Sequence, residues 1–519
     1  MNSTNILNNA APEPVFDPYV TAPDLTPLDL YTRLADTRPL EPEPAPADLA
    51  EPAVLAETSS LSADGLLCLV TDGTAMVLGR EGLLSAIPLP ETADAVLQAA
   101  ALGETTLALA FEITREDRVY TRLDFYDLSD PAEPALLGQA GLDGAFLSCQ
   151  AVEDGRFFLT TSFAADDDTL PARHRGENTY TIPAQKVLMA ESAAGTGFTL
   201  GGLFQPDGTC AGWFAALGAD PAVTLLNATQ ALVTWSGESR TEQTWPDGAY
   251  QAAQATTRAE TGAALLTLDG RYWSLTGALT LEGTPELARY TDDGALCVAA
   301  GLTSVSRTQY EDPERGWTLP GEETVSTGLR VYLFDPALEP LNSLDLGEGD
   351  IELLGLYGSS LYYRTPADGL LRMAWLTDPG APLAAPLAEV GSFADFAILT
   401  EGYALGLQRR EDGQDYEAVL LNLSNPTHIT RKPLRSCVFS AQARLLIGFV
   451  GEGRTLAAVT DEQRLSVLEA TALFGPALLE VYAAPESPSR FLGTSGLALL
   501  VWSQGYALLD PDTGALIAP

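Results

Sequence analysis

Lysine is almost missing from this sequence. Lys186 and Lys432 are the only two in 519 residues, and the remaining cations are arginines. Acidic residues outnumber basic ones 70 to 28, giving a formal net charge of −42. Such a surface repels phosphate backbones and anionic lipid, which argues against nucleic acid as a partner and against membrane insertion. Histidine is equally scarce. His174 and His428 leave little material for a Ser-His-Asp triad or a zinc site. The five cysteines (Cys68, Cys149, Cys210, Cys297, Cys437) are odd in number and never in CxxC spacing. That disfavours a disulfide framework or zinc and predicts buried free thiols. No apolar run reaches the ~18 residues of a membrane span. The N-terminal MNSTNILNNAAPEP has neither the basic start nor the apolar core of a signal peptide. P-loop, GxGxxG, GxSxG and HExxH patterns are all missing.

What the sequence does have is apolar material in short pieces. Hydrophobic residues make up 46% and charged ones 19%, the balance of a globular chain. Its length exceeds the ~250–300 residues at which single cores stop growing, so several cores or a repeat are required.

Residues 1–53 read as a Pro-rich tether, with ten prolines between Pro12 and Pro52. Within it, Asp29–Leu34 could form a short helix. From residue 54 onward, short apolar runs alternate with turn signals, the mark of an all-β repeat protein. Leu468–Leu473 is a weak helical candidate. A strand ending in an Asp-Pro-like turn recurs at 125–134, 201–208, 330–340, 372–382, 419–427 and 506–514. Proline presets φ there, and Asp or Asn can bond back to the backbone. Most copies follow an apolar hairpin with a glycine turn (145–162, 286–301, 351–365, 393–407). Together these make four-stranded meanders, and radially repeated meanders make a β-propeller. The units are 54–90, 95–140, 145–217, 222–282, 287–346, 351–389, 393–434, 436–469 and 489–519. Because one weak unit can be shared at ring closure, the expectation is a single β-propeller of eight blades, with seven or nine as alternatives, over 54–519. Three units are swollen between their second and third strands, by 163–196, 237–261 and 303–327. These read as long loops gathered on one face, and long loops in compact domains are commonly functional.

FYDLSDPAEPALLGQAGLDGAFLS (125–148), the 331–387 stretch, VGSFADFAILTEGYALGLQRREDG (390–413) leading to LLNLSNPTHI (420–429), and SRFLGTSGLALLVWSQGYALLDPDTGALI (489–517) resemble one known family. It is the secreted β-propeller domain family of archaea and Gram-positive bacteria, which has no established function. AETSSLSADG (56–65) departs from that family's acidic first strand. The resemblance implies an extracellular or cell-surface domain behind an N-terminal anchor missing from this sequence, with DLYTRL (29–34) between anchor and propeller. It transfers no catalytic residue.

Asp166, Asp167 and Asp168 form the densest acidic cluster and could offer oxygen ligands to Ca²⁺; no other cofactor is expected. The run lacks the alternating ligands and bend glycine of a metal loop, so a solvated acidic tip is the competing reading. His174, beside Glu177, is a candidate acid/base or binding residue. Asn227-Ala228-Thr229 matches a glycosylation sequon but falls in a tight hairpin. Trp245 and Tyr250 in the second insertion, and Tyr310 and Trp317 in the third, set aromatics beside carboxylates, a composition suited to sugar or protein contact. The expected role is a monomeric, non-enzymatic module binding a protein or glycan through the three insertions. The alternatives are a polysaccharide hydrolase or lyase with carboxylates at a propeller channel, and a structural spacer.

Overall fold

The computed structural model describes residues 38–39, 43–44 and 66–517. Interruptions fall at 71–73, 81, 91–93, 116–117, 153, 165–169, 184–186, 190–196, 219–220, 248–249, 313–314, 366–369, 377–392, 400–401, 411–412, 414, 425–428, 435–436, 452, 485–486, 495 and 503–504. Asp166, Asp167, Asp168, His428 and the 29–34 segment lie outside the described residues.

The described residues form strands and turns without a helix. Among the described residues, eight hydrogen-bonded sheets follow one another along the chain. The largest joins two meanders, 222–282 and 284–348, so nine consecutive antiparallel meanders are present. The other seven cover 67–88, 95–143, 145–218, 352–375, 393–433, 444–483 and 490–509. The helical candidate at Leu468–Leu473 is instead the end of strand Arg464–Thr471 and its turn. Val467 and Leu468 are both fully buried, on opposite faces of that strand, and this two-sided burial fixes an extended backbone.

Two-sided burial is general here and explains the unbroken apolar runs. Phe157 packs toward the preceding sheet with Phe125, whereas Phe158 packs toward the following one with Val233 and Leu266. Tyr362 and Tyr363 divide in the same way between their two neighbours. Each meander shares one apolar cluster with the meander before it and another with the one after. The last meander (Leu499, Val501, Leu508) packs on the first (Leu67, Leu69, Met76).

Five of the recurrent Asp-Pro-like turns are Asx turns, in which the side chain accepts the amide two residues on; the turn of the 372–382 copy lies outside the described residues. Asp127 Oδ1 accepts from Ser129 N at 2.9 Å, Asp207 from Thr209 N at 2.7 Å, Asp335 from Ala337 N at 2.9 Å and Asp510 from Asp512 N at 2.8 Å. Asn422 does the same for Ser424 N at 3.0 Å. The sequon Asn227 is also committed this way, to Thr229 N at 2.9 Å.

Two dipeptides of the Pro-rich segment are strands. Arg38–Pro39 runs parallel to Tyr482–Ala483, and Glu43–Pro44 antiparallel to Gly505–Tyr506. Both add to outer sheet edges, where a proline's missing N–H is tolerated.

Candidate functional site

The two insertions read as loops at 237–261 and 303–327 are instead strands. Gln230–Asp247 and Tyr250–Asp269 pair along their whole length, as do Leu296–Asp312 and Trp317–Phe334 across one bulge. The two hairpins then pair with each other, from Gln251 opposite Glu311 to Arg258 opposite Ser304. The result is a four-stranded antiparallel arm that extends beyond its parent meanders. The polar Ser, Thr and Gln alternation in these stretches carries no apolar stripe, so a strand there leaves little trace in hydrophobic periodicity.

At the base of the arm, Glu282 joins the two hairpins. Its carboxylate lies 3.7 Å from Arg258 Nε on the first and 2.6 Å from Arg330 Nη1 on the second. Arg330 also engages Asp345, whose carboxylate holds the guanidinium charged. Tyr332 Oη donates to Glu282 O at 2.9 Å, and Thr261 Oγ1 donates to Gly283 O at 2.7 Å.

Directly paired residues of an antiparallel sheet share a face, and the period is two. The register therefore fixes what each face of the arm carries. Trp245, Ala252, Tyr310 and Leu319 form one cross-strand row. Two residues nearer the tip, Asp247, Tyr250, Asp312 and Trp317 stand on the same face. Thus Trp245, Tyr250, Tyr310 and Trp317 converge on one surface. Trp317 is 62% exposed, Leu319 45%, Tyr250 40% and Trp245 39%, while Ala252 between them is fully buried. Arg315 sits 5.7 Å from the Trp317 ring centroid and donates its backbone N–H to Asp312 Oδ1 at 3.1 Å. Gly321 leaves room for the Tyr310 ring: a Cβ there would lie 2.8 Å from Tyr310 Cε2.

The described strands of the first insertion do not join the arm. Ala172–Arg175 and Asn178–Thr181 add two strands to the outer edge of the 95–143 meander, and Val187–Met189 lies parallel to Ala215–Leu217 in its own sheet. His174 is part of this strand addition. Its partner is Asp143 rather than Glu177, with Nε2 2.7 Å from Oδ1. Nδ1 faces Thr179 Oγ1 at 3.2 Å, and the ring lies 5.0 Å from that of Tyr120. Asp143 also accepts from Ala172 N at 2.8 Å. These contacts fasten the inserted strand, so His174 stands in a different sheet from the four aromatics.

Among the described residues, no group of three or more His, Cys, Asp or Glu is placed to hold a metal ion. One small cleft is lined by Glu352, Arg364, Phe393, Asp395 and Phe396 among others. Its carboxylates are occupied: Glu352 Oε2 pairs with Arg364, 2.9 Å from Nε, and Asp395 accepts from Leu445 N and Phe396 N, both at 2.8 Å.

No family model matches the chain, and neither does any curated protein. Among solved structures, similarity is found to a prolyl endopeptidase at 12% identity and TM-score 0.30, covering 86% of this chain and 57% of that one. An acylaminoacyl peptidase matches at 10% identity and TM-score 0.32, covering 81% and 58%. Sqt1 of Chaetomium thermophilum matches at 9% identity and TM-score 0.32, covering 80% and 95%. This chain therefore matches less than two thirds of the length of either peptidase.

Proposed function

We propose that the protein is a non-enzymatic binding module, a β-propeller scaffold holding the arm and its aromatic face toward a protein or glycan. The observation that carries this is the convergence of Trp245, Tyr250, Tyr310 and Trp317 on one open sheet face. Large rings left in solvent on a rigid scaffold supply contact area at low entropic cost on binding. The propeller reading is supported by the serial packing of nine meanders, the ninth against the first. Counting each meander as a blade gives nine, and the eight sheets arise because the arm fuses two of them.

The test is capture on a combined glycan array and surface-protein pulldown. A variant with both hairpins trimmed, to Ser236–Gly262 and Leu302–Gly328 joined by tight turns, should keep its circular dichroism and thermal midpoint and lose capture. Retained capture by the trimmed protein would overturn the reading.

A further inference from the structure

The two hairpin tips of the arm repeat one pattern. The first strand of each hairpin ends in an aromatic, one residue and Asp, and the second begins with an aromatic. The first tip reads Trp245-Pro246-Asp247 and then Tyr250; the second reads Tyr310-Glu311-Asp312 and then Trp317. Asp247 stands directly opposite Tyr250, and Asp312 directly opposite Trp317. Trp245 and Tyr310 lie two residues back on the same face, about 7 Å from the aspartates along the strand. Each tip therefore gathers two rings and one carboxylate on one side of the sheet.

The tips differ in what the chain itself adds. In the second, Arg315 lies 5.7 Å from the Trp317 ring centroid, with its Nε 3.9 Å from Asp312 Oδ2. The ring quadrupole and the carboxylate both attract that guanidinium. In the first, the residues between Asp247 and Tyr250 are Gly248 and Ala249, so the connection brings no cation. The arm's other arginines are engaged elsewhere: Arg240 with Glu242, Arg307 with Glu323, and Arg258 and Arg330 with Glu282. The aromatic face is also acidic away from its tips. Glu322 falls at the bulge opposite Thr308, and Glu260 and Glu282 stand at the base.

Resting on the binding reading above, we infer that the first tip takes an arginine side chain from a basic segment of a partner protein. Its guanidinium lies against the Trp245 and Tyr250 rings and pairs with Asp247, as Arg315 does with Trp317 and Asp312. A guanidinium suits this place because it is planar, stacks on rings and is weakly hydrated. The net charge of −42 steers such a segment toward the molecule, and the carboxylates of the same face add to that attraction locally.

Fluorescence anisotropy of the full chain with a labelled peptide of alternating glycine and arginine tests this. The comparison is the same peptide with citrulline for arginine, which keeps the shape and loses the charge. At about 150 mM salt the arginine peptide should bind about tenfold tighter than the citrulline one. Asp247→Asn keeps a turn acceptor and should weaken arginine-peptide binding about tenfold. Trp245→Ala with Tyr250→Ala changes no charge and should weaken it by about as much. Glu311 pairs with Gln251 and Thr318 on the opposite face. Glu311→Gln removes the same charge as Asp247→Asn and should shift affinity by less than about twofold. Thermal midpoints report whether each variant is folded. No binding of the arginine peptide, or equal binding of the two peptides, overturns the inference. So do equal losses in Asp247→Asn and Glu311→Gln, because the attraction would then come from net charge alone, and so does full binding by the double ring variant. If the arm captures a glycan or an uncharged partner through its rings, indifferent to Asp247→Asn, the arginine inference fails while the binding-module reading stands. If capture of every kind survives trimming of the arm, both fail.

Discussion

The turn carboxylates show how one residue type does the same work at many places. Hydrogen bonds from Ser129 hold Asp127 below the usual carboxylate range, and bonds from Thr209 do so for Asp207. Such a group contributes stability that is complete above its unfolded value, near pH 3.9, and is lost as pH falls through the lowered folded value. Asp124 is displaced the other way, because burial outweighs Arg122 and Gln139; its contribution becomes less unfavourable as pH falls. Asp207→Asn keeps the turn acceptor and removes the titration. Urea unfolding at pH 7 and pH 3 should therefore show a smaller loss of stability in the variant than in the parent, with little change at pH 7. The buried thiols make a second expectation. Burial pushes Cys68, Cys149 and Cys297 up to about 12, which leaves essentially no thiolate at neutral pH. A thiol reagent should leave these three unmodified until denaturant is added, as mass spectrometry of labelled peptides will show. Thiol burial was legible in the sequence because each of the three sits inside an apolar run. The Asp143 partner of His174 was not, since an added strand brings together residues that lie 31 positions apart.

At the level of elements, one contact recurs between neighbouring meanders: the outer strand of one receives the tight turn of the next. Ser85 Oγ donates to Pro131 O at 2.6 Å, and Lys432 Nζ donates to Leu473 O at 2.7 Å. Gly138 faces Asp207, and Gly277 faces Ala337, so closely that a Cβ would lie 2.4 and 2.3 Å from backbone. Arg80, in a turn of the first meander, reaches Asp510 of the last at 3.8 Å. Gly138→Ala should cost about 1–3 kcal/mol by overpacking, read from the urea midpoint. The strands and turns of the meanders were legible because both faces are buried and Asp or Asn closes the turns. The arm was not, because its strands pair without a core beneath them, and only the register places its four aromatics on one face.

For the whole molecule, cohesion comes from the clusters between sheets rather than from any one sheet. Phe157→Ala, which removes a fully buried ring 5.4 Å from that of Phe125, should cost about 3–5 kcal/mol in chemical denaturation. The N-terminal strands at 38–39 and 43–44 each add to the edge of a late meander. Deleting residues 1–45 should lower the thermal midpoint by a few degrees while circular dichroism stays close to that of the parent.

Packing of the first meander against the last also sets a clock during synthesis. Leu67, Leu69, Met76 and Leu78 emerge early, but Leu497, Leu499 and Val501 that cover them follow about 400 residues later. At roughly 5–20 residues per second the ribosome takes about 20–80 s to supply that cover. For that interval the newborn chain carries a bare greasy flank, the kind of surface that promotes aggregation until its cover arrives.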